Sequence, residues 1–413
     1  MSKPQRLSAV RRSGTAPPGV VMLGWALAAA CLLSPVLAAD WPQLRGPQRN
    51  GISTEKGWIA RWAGAGPRQA WAAQVGLGWS SMAVVGGRLY TMGNIANKDS
   101  VYCLNAVTGR PIWKQTYACR AGDYSGTRAT PTVLGGRVYT LSREGHAYCF
   151  DTATGKIIWN SHLMQDARAV PPRWGFAGSP LVDGNRVIYN AGSAGVALDK
   201  NTGKVLWKSG AVGAGYASPV AYTVKGRHGV AVFSAAGLFG LDSASGRQQW
   251  FFPWKTQYGV NAADPIFTEG NVFISSDYNA GGALVRLDGG EPKVIWRNRN
   301  MRNKGNSSVL LNGALYGNDQ GSLKCVELRT GAEKWRQPGV GMGGLIAADG
   351  KLIVVTERGA LLIVQATPAR YTQLARAQLP RGSYFTQPVL ANGRIYCRSH
   401  EGSLVCLDVR AKR

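Results

Sequence analysis

The sequence predicts an all-β fold, a β-propeller of eight four-stranded antiparallel blades, and three observations carry that prediction. The first is a recurring unit of the form Asp-x-x-x-Thr-Gly-x-x-x-Trp. It runs from Asn105 to Trp113, Asp151 to Trp159, Asp199 to Trp207, Asp242 to Trp250, Asp288 to Trp296 and Glu327 to Trp335, always with an Asp-like residue eight before a Trp. A weakened copy begins at Gln365, and a half copy ends at Asp408. The second is the period: successive Asp-like positions lie 46, 48, 43, 46, 39, 38 and 43 residues apart, the span of a four-stranded blade. The third is composition, with 54 glycines in 413 residues alongside 45% apolar residues. That is roughly twice the ordinary glycine share, as expected of a folded chain with many tight turns.

Taken in order, residues 1–39 read as a signal peptide. Lys3, Arg6, Arg11 and Arg12 precede an apolar run from Val20 to Leu33, and small residues follow at the cut, near Ala38 or Ala39. Arg11-Arg12 leaves a twin-arginine signal as a variant. Apolar sequence continues past Cys31 and no Leu sits three residues before it, which argues against a lipid anchor at Cys31. Residues 40–67 are expected to form an N-terminal extension lying across the ring. The propeller is expected over 68–410, with a short tail at 411–413.

Each blade shows the same internal order. A short strand led by Pro or a small residue comes first, as in Thr130-Pro131-Thr132-Val133 and Ser179-Pro180-Leu181-Val182. A two-residue turn follows, such as Gly135-Gly136 or Asn392-Gly393, of the kind a type I′ hairpin demands. A β-branched or aromatic strand, a third strand into the Asp, and the Trp strand complete the unit. The last unit, from Ser383 to Asp408, has no Trp strand after it, while Gln69 to Val75 holds Trp71 with no blade before it. Pairing the two closes the ring and removes two raw sheet edges. Eight blades result, or seven if the copy at Gln365 is not a blade.

A blade alone exposes two apolar faces, so Trp71, Trp113, Trp159, Trp207, Trp250, Trp296 and Trp335 are expected to plug the seams between blades. Burying one indole contributes up to roughly 5 kcal/mol. Cys103, Cys149, Cys325 and Cys406 occupy equivalent positions in different blades, too far apart for bridging, and read as small buried hydrophobes. A hairpin turn near His400-Glu401 puts Cys397 opposite Leu404. The absence of a Cys-x-x-Cys motif and the count of four His argue against a metal site. Removing the leader's four basic residues lowers the net charge from +26 to +22, which suits anionic envelope polymers as partners. No block of five or six basic residues occurs, and nucleic acid is not expected as a partner of an exported protein.

These repeats resemble those of the PQQ-like β-propeller proteins of bacteria, within the broader WD40/YVTN-like propeller class. The opening Asp40-Trp41-Pro42-Gln43-Leu44-Arg45-Gly46-Pro47 and the stretch Trp174 to Pro180 are similar to family features. The resemblance implies one of two functions. Quinoprotein alcohol dehydrogenases hold pyrroloquinoline quinone and Ca²⁺ on the axis. This chain departs from them in having no Cys-Cys pair and no Cys-x-x-Cys-His haem motif. The other branch is similar to the propeller lipoprotein of the outer-membrane β-barrel assembly machinery, a scaffold without a cofactor. The expected function is therefore a non-enzymatic, monomeric binding or scaffold module of the periplasm or an exported one, with peripheral membrane association open. The alternative is a PQQ-dependent dehydrogenase oxidising alcohols or sugars.

In a propeller the loops entering each inner strand and the loops joining the second and third strands share one face and line the funnel mouth. The long entries carry Arg120, Asp123, Tyr124 and Arg128 before one blade, and Arg168, Arg173, Trp174 and Phe176 before the next. Tyr216, Tyr258, Asn261 and Asp264 follow, then Arg302, Asn303, Lys304 and Asn306, and finally Tyr384 and Phe385. Aromatics, amides and arginines facing one basin suit a polar ligand, so Arg128, Trp174, Tyr216, Asn261, Arg302, Asn303, Asn306 and Tyr384 are the binding candidates. In the dehydrogenase alternative Asp264 acts as base, Asn261 and Asp264 bind Ca²⁺, and Arg302 polarises the quinone.

Overall fold

The computed structural model describes residues 39–62, 64 and 66–411; the leader and the Cys31 lipid-box reading lie outside the described residues. Eight antiparallel sheets follow one another along the chain. Blades 1 to 7 span residues 83–118, 132–162, 181–208, 220–253, 266–298, 309–341 and 344–378. Blade 8 combines residues 389–408 with Arg68–Gln74. Within blades 1 to 7 the strands run in chain order. First strands touch between blades 1 and 2, 2 and 3, 3 and 4, and 6 and 7, which places them on the axis.

Closure is as the sequence predicts. Arg68–Gln74 pairs antiparallel with Ser403–Asp408, with Trp71 opposite Cys406, so the first and last pieces share a sheet. The copy at Gln365 is a true blade, which decides for eight.

The repeat has a direct physical origin, visible where blade 1 meets blade 2. Asp151 Oδ1 accepts hydrogen bonds from the Ala153 and Thr154 amides at 3.0 and 2.8 Å and from Thr154 Oγ1 at 2.7 Å. This tightens the turn so that Gly155 adopts φ 72°, a conformation that favours glycine. Trp113 of blade 1 lies flat against that glycine; a Cβ there would stand 2.6 Å from the indole. The indole Nε1 then donates to Thr152 O at 3.0 Å. The same indole-on-glycine contact joins Trp71 to Gly109, Trp159 to Gly203, Trp207 to Gly246 and Trp296 to Gly331.

Two seams differ. Trp250 packs against the apolar cluster shared by blades 4 and 5 but lies on no glycine of blade 5, whose turn Asp288-Gly289-Gly290 lacks the Thr-Gly pair. It folds back on Gly240 of its own blade and donates to Tyr222 Oη at 2.9 Å, so its contact differs from that of the other seam indoles. Blade 7 has Ala375, opposite Ile363, where other blades place Trp. There the N-terminal segment supplies indoles: Trp58 and Trp62 join the cluster holding Ala375 and Ala377, and Trp62 Nε1 donates to Arg376 O at 3.2 Å.

The N-terminal segment is built into the axis. Trp41 exchanges backbone hydrogen bonds with Val84 of blade 1 at 2.7 and 2.8 Å, and Pro42 O accepts from Val133 N of blade 2 at 2.8 Å. Ile52–Ser53 adds a parallel fifth strand to the inner edge of blade 7, and Ser53 Oγ donates to Leu390 O of blade 8 at 3.1 Å.

All six cysteines among the described residues are buried and free. Cys397 pairs with Val405 rather than Leu404, because the hairpin loop closes through Ser399 N to Ser403 O and is one residue longer than expected.

Candidate functional site

The segments entering the inner strands form one funnel, and hydrogen bonds between neighbouring entries hold it open. At the entries of blades 2 to 6 the residue before the proline position carries a short polar side chain, which accepts a hydrogen bond from the equivalent amide of the preceding blade. Ser81 N donates to Thr130 Oγ1, Thr130 N to Ser179 Oγ and Ser179 N to Ser218 Oγ, at 2.9, 2.9 and 3.0 Å. Ser218 N donates to Asp264 Oδ1, and Asp264 N to Ser307 Oγ, both at 2.8 Å. The belt satisfies amides that the turn into each strand leaves without a ladder partner.

The floor comes from the axial segment. Leu44 faces a cavity of about 300 Å³, and behind it Arg45 and Arg49 are buried on the axis. Arg49 reaches three blades at once: Nη1 donates to Pro219 O at 3.3 Å, and Nη2 lies against Pro180 O and Thr132 Oγ1. Burial lowers the pKa of both guanidiniums, Arg49 to about 10, and the charge of Asp264 works against that shift. Burial raises Asp264 in turn, offset in part by Arg45. The Asp264 carboxyl and the two guanidiniums share the axis, and each favours the charged form of the other.

The wall is aromatic. Trp79 stacks on Phe385 at 4.5 Å. Trp174 meets Tyr124, Tyr216 and Tyr258 at 6.0 to 6.1 Å, and Tyr258 meets Tyr278 at 6.0 Å. The Arg173 guanidinium lies over both Trp174 and Tyr258. Tyr124, Tyr258 and Tyr278 hold φ of 51°, 62° and 55°, a left-handed conformation that bulky side chains rarely adopt and that gathers at functional sites. Tyr124 and Tyr258 are 65% and 55% exposed, so this strain presents rings to solvent and serves no core.

Among the binding candidates, Arg128, Trp174, Tyr216 and Asn306 line the cavity together with Asp264. Arg128 donates to Asp123 O and Tyr124 O at 3.0 and 3.1 Å, and burial, then the charge of Arg143, lowers its pKa to about 10. Asn306 ties three entries by donating to Met342 O and Phe385 O at 3.1 and 2.9 Å. The other four lie elsewhere. Asn261 is fully buried, its amide donating to Ser234 O and Trp254 O and its oxygen accepting from Ser276 Oγ and Thr256 Oγ1. Arg302 makes a two-pronged pair with Asp319 at 2.8 and 2.9 Å. Asn303 bonds Asn318 O and Ser308 Oγ, and the buried Tyr384 donates to Pro380 O. Leu44, Trp79 and Tyr278 also line the cavity; Leu44 lies outside the repeats, and Tyr278 sits in a loop between second and third strands, which faces the funnel but is too short to stand out in the sequence.

A quinone with Ca²⁺ needs six to eight oxygen ligands around the metal. Among the described residues Asp264 is the one carboxylate lining the cavity. It is bonded to Ser218 N with Arg45 and Arg49 nearby, and Asn261 has no oxygen to spare. These residues do not fit that group.

A family model described as outer membrane protein assembly factor BamB matches residues 55–139 and 120–337. The outer membrane protein assembly factor BamB of Yersinia pestis is 22% identical over 321 residues, covering 73% of this chain and 78% of its own. The crystal structure of BamB from Moraxella catarrhalis superposes with a TM-score of 0.63 at 17% identity, over 84% of this chain and 99% of that one. A quinohemoprotein alcohol dehydrogenase from Pseudomonas putida gives 0.64 at 14% identity, over 91% and 81%. Such similarity between structures speaks to the fold alone.

Proposed function

The chain belongs to the family described as outer membrane protein assembly factor BamB, and from that premise we propose that it is a non-enzymatic scaffold of the cell envelope that binds a protein partner through its funnel rim. The observation that carries this reading is the aromatic wall from Tyr124 through Trp174 to Tyr278, presented around an axis already filled by Leu44, Arg45 and Arg49. Tyrosine, tryptophan and arginine are the residues that anchor protein interfaces. A flat cofactor requires a free axial donor set, and here Asp264 and Asn261 are committed. The leader read from residues 1–39 supports a periplasmic location. The basic surplus assists encounter with anionic surfaces and does not set specificity.

Photo-crosslinkers at positions 124 and 258, with one at Leu134 on the opposite end of a blade as control, test the reading in envelope extracts. A discrete crosslinked protein is expected at the rim positions alone, resistant to salt that screens surface charge and lost in Trp174→Ala. Equal crosslinking at Leu134, or only heterogeneous material that disappears with salt, would sink it. Saturable quinone binding in the presence of Ca²⁺ would reinstate the dehydrogenase alternative.

A further inference from the structure

At the outer junction of blades 1 and 2, away from the funnel axis, a thiol, a carboxylate and an imidazole converge. Cys119 follows the outer strand of blade 1, Pro111–Ala118, while Glu144 lies in the turn between the second and third strands of blade 2 and His146 opens the third. One ligand atom from each lies within 4.8 Å of the others. Ligands sharing a tetrahedral zinc stand roughly 3.3–3.8 Å apart, so side-chain shifts of about an ångström close the set. Cys119 is buried. His146 Nδ1 is held by Ser142 Oγ at 3.0 Å. The Glu144 oxygens accept from Arg120 N and Nε at 3.0 and 2.6 Å, and each keeps a further lone pair.

A second, independent observation marks the same place. Asp99 is 1% exposed, yet its Oδ2 is buried without a hydrogen-bond partner, as are Tyr117 Oη and His162 Nδ1. Tyr117 and His162 pack against His146, with ring centroids 5.5 and 4.5 Å away. Asn94 Nδ2 bridges Asp99 Oδ1 and Cys119 O at 2.6 and 2.9 Å, which sets that carboxylate beside the cysteine, as Glu144 also is. Buried polar atoms are nearly always bonded, and two carboxylates facing one thiol are the arrangement a divalent cation neutralises.

We propose that Cys119, Glu144 and His146 bind one zinc-class divalent cation, with a water held by Asp99 completing the shell. Thiolate and imidazole select a borderline-soft ion over Ca²⁺ or Mg²⁺, and binding releases the thiol proton to solvent. The ion joins the exit of blade 1 to the hairpin of blade 2. It thereby fixes the base of the loop over residues 119–129, which carries Tyr124 and Arg128 to the funnel. The site stands whether or not the rim binds a protein.

The test is a Co²⁺ titration of the untagged, chelator-treated full chain. One equivalent is expected, with a thiolate-to-cobalt charge-transfer band that Zn²⁺ abolishes by displacement. Cys119→Ser removes the band, and Glu144→Gln and His146→Gln weaken affinity by at least about tenfold. Both of the latter replace partly exposed side chains and keep the fold even if Cys119→Ser does not. Cobalt bound without a thiolate band in the unmodified chain, or affinity unchanged in both Glu144→Gln and His146→Gln, overturns the proposal.

Discussion

At the outer seams of the ring an indole of one blade lies on a glycine of the next, and the same contact recurs at five junctions with only small changes in distance. The axial plug has no such period: one segment, residues 41–53, makes a different contact with each blade it meets, and two buried arginines supply what eight inner strands cannot. The periphery is a repeated solution to a repeated problem, the burial of one apolar face. The axis has to satisfy unlike groups, carbonyls of blades 3 and 4, a hydroxyl of blade 2 and the carboxylate of blade 5, and a single asymmetric segment does so.

If the seams carry the stability of the ring, Trp159→Ala has the largest effect. It empties the space against Gly203 and removes the Nε1 bond to Lys200 O at 2.9 Å, and a loss of about 3–5 kcal/mol is expected in urea denaturation. Trp250→Ala sharpens the comparison, because that indole is less buried and bonds only within its own blade. Its loss should be smaller by at least about 1 kcal/mol. Equal losses from the two substitutions would mean that the seam contact itself contributes nothing special.

Arg49→Met probes the axis. The apolar replacement fills similar volume but leaves Pro219 O without its donor, Pro180 O with Thr132 Oγ1 alone and Asp264 with one cation fewer. A loss of about 2–4 kcal/mol is expected. Arg49→Lys should recover little of it, since a single ammonium cannot span three blades. A neutral Arg49→Met would show that the plug is held by Trp41 and the strand pairing of Ile52–Ser53 alone.

The same contrast decides which features are legible in the sequence. Blade number, ring closure through Trp71 and the wedge role of most tryptophans are legible because each is written several times with a fixed spacing. Trp250 escapes the pattern because its partner turn, Asp288-Gly289-Gly290, lies a whole blade away and carries the exception. Arg45 and Arg49 occur once, in a segment without period, so nothing in the sequence marks them as buried. Within the funnel, position in an entry loop is enough to find Arg128, Trp174, Tyr216 and Asn306. It cannot separate them from Asn261 or Tyr384, whose side chains turn into the packing between loops. Cys119, Glu144 and His146 come from two blades, and their spacing in the chain is that of no known metal motif.

The smallest expected effect lies in the Asp of the repeat, and it depends on pH. The side-chain bond from Thr154, then its amide, holds the Asp151 carboxyl below the usual carboxylate range, and the bond from Ser245 does the same at Asp242. A folded-state pKa below the unfolded value contributes stability that is complete above the unfolded pKa and is lost as pH falls through the folded one. Blade 1 already contains the control, since Asn105 Oδ1 accepts from the Val107 and Thr108 amides at 2.9 Å with no charge to titrate. Asp151→Asn should therefore cost less than about 1 kcal/mol at neutral pH, and the gap to the unmodified chain should narrow between about pH 5 and pH 3. Urea midpoints at the two ends of that range decide the matter. A gap that stays constant would mean that the turn is held by its backbone geometry, with the carboxylate charge contributing nothing that Asn105 does not already supply in blade 1.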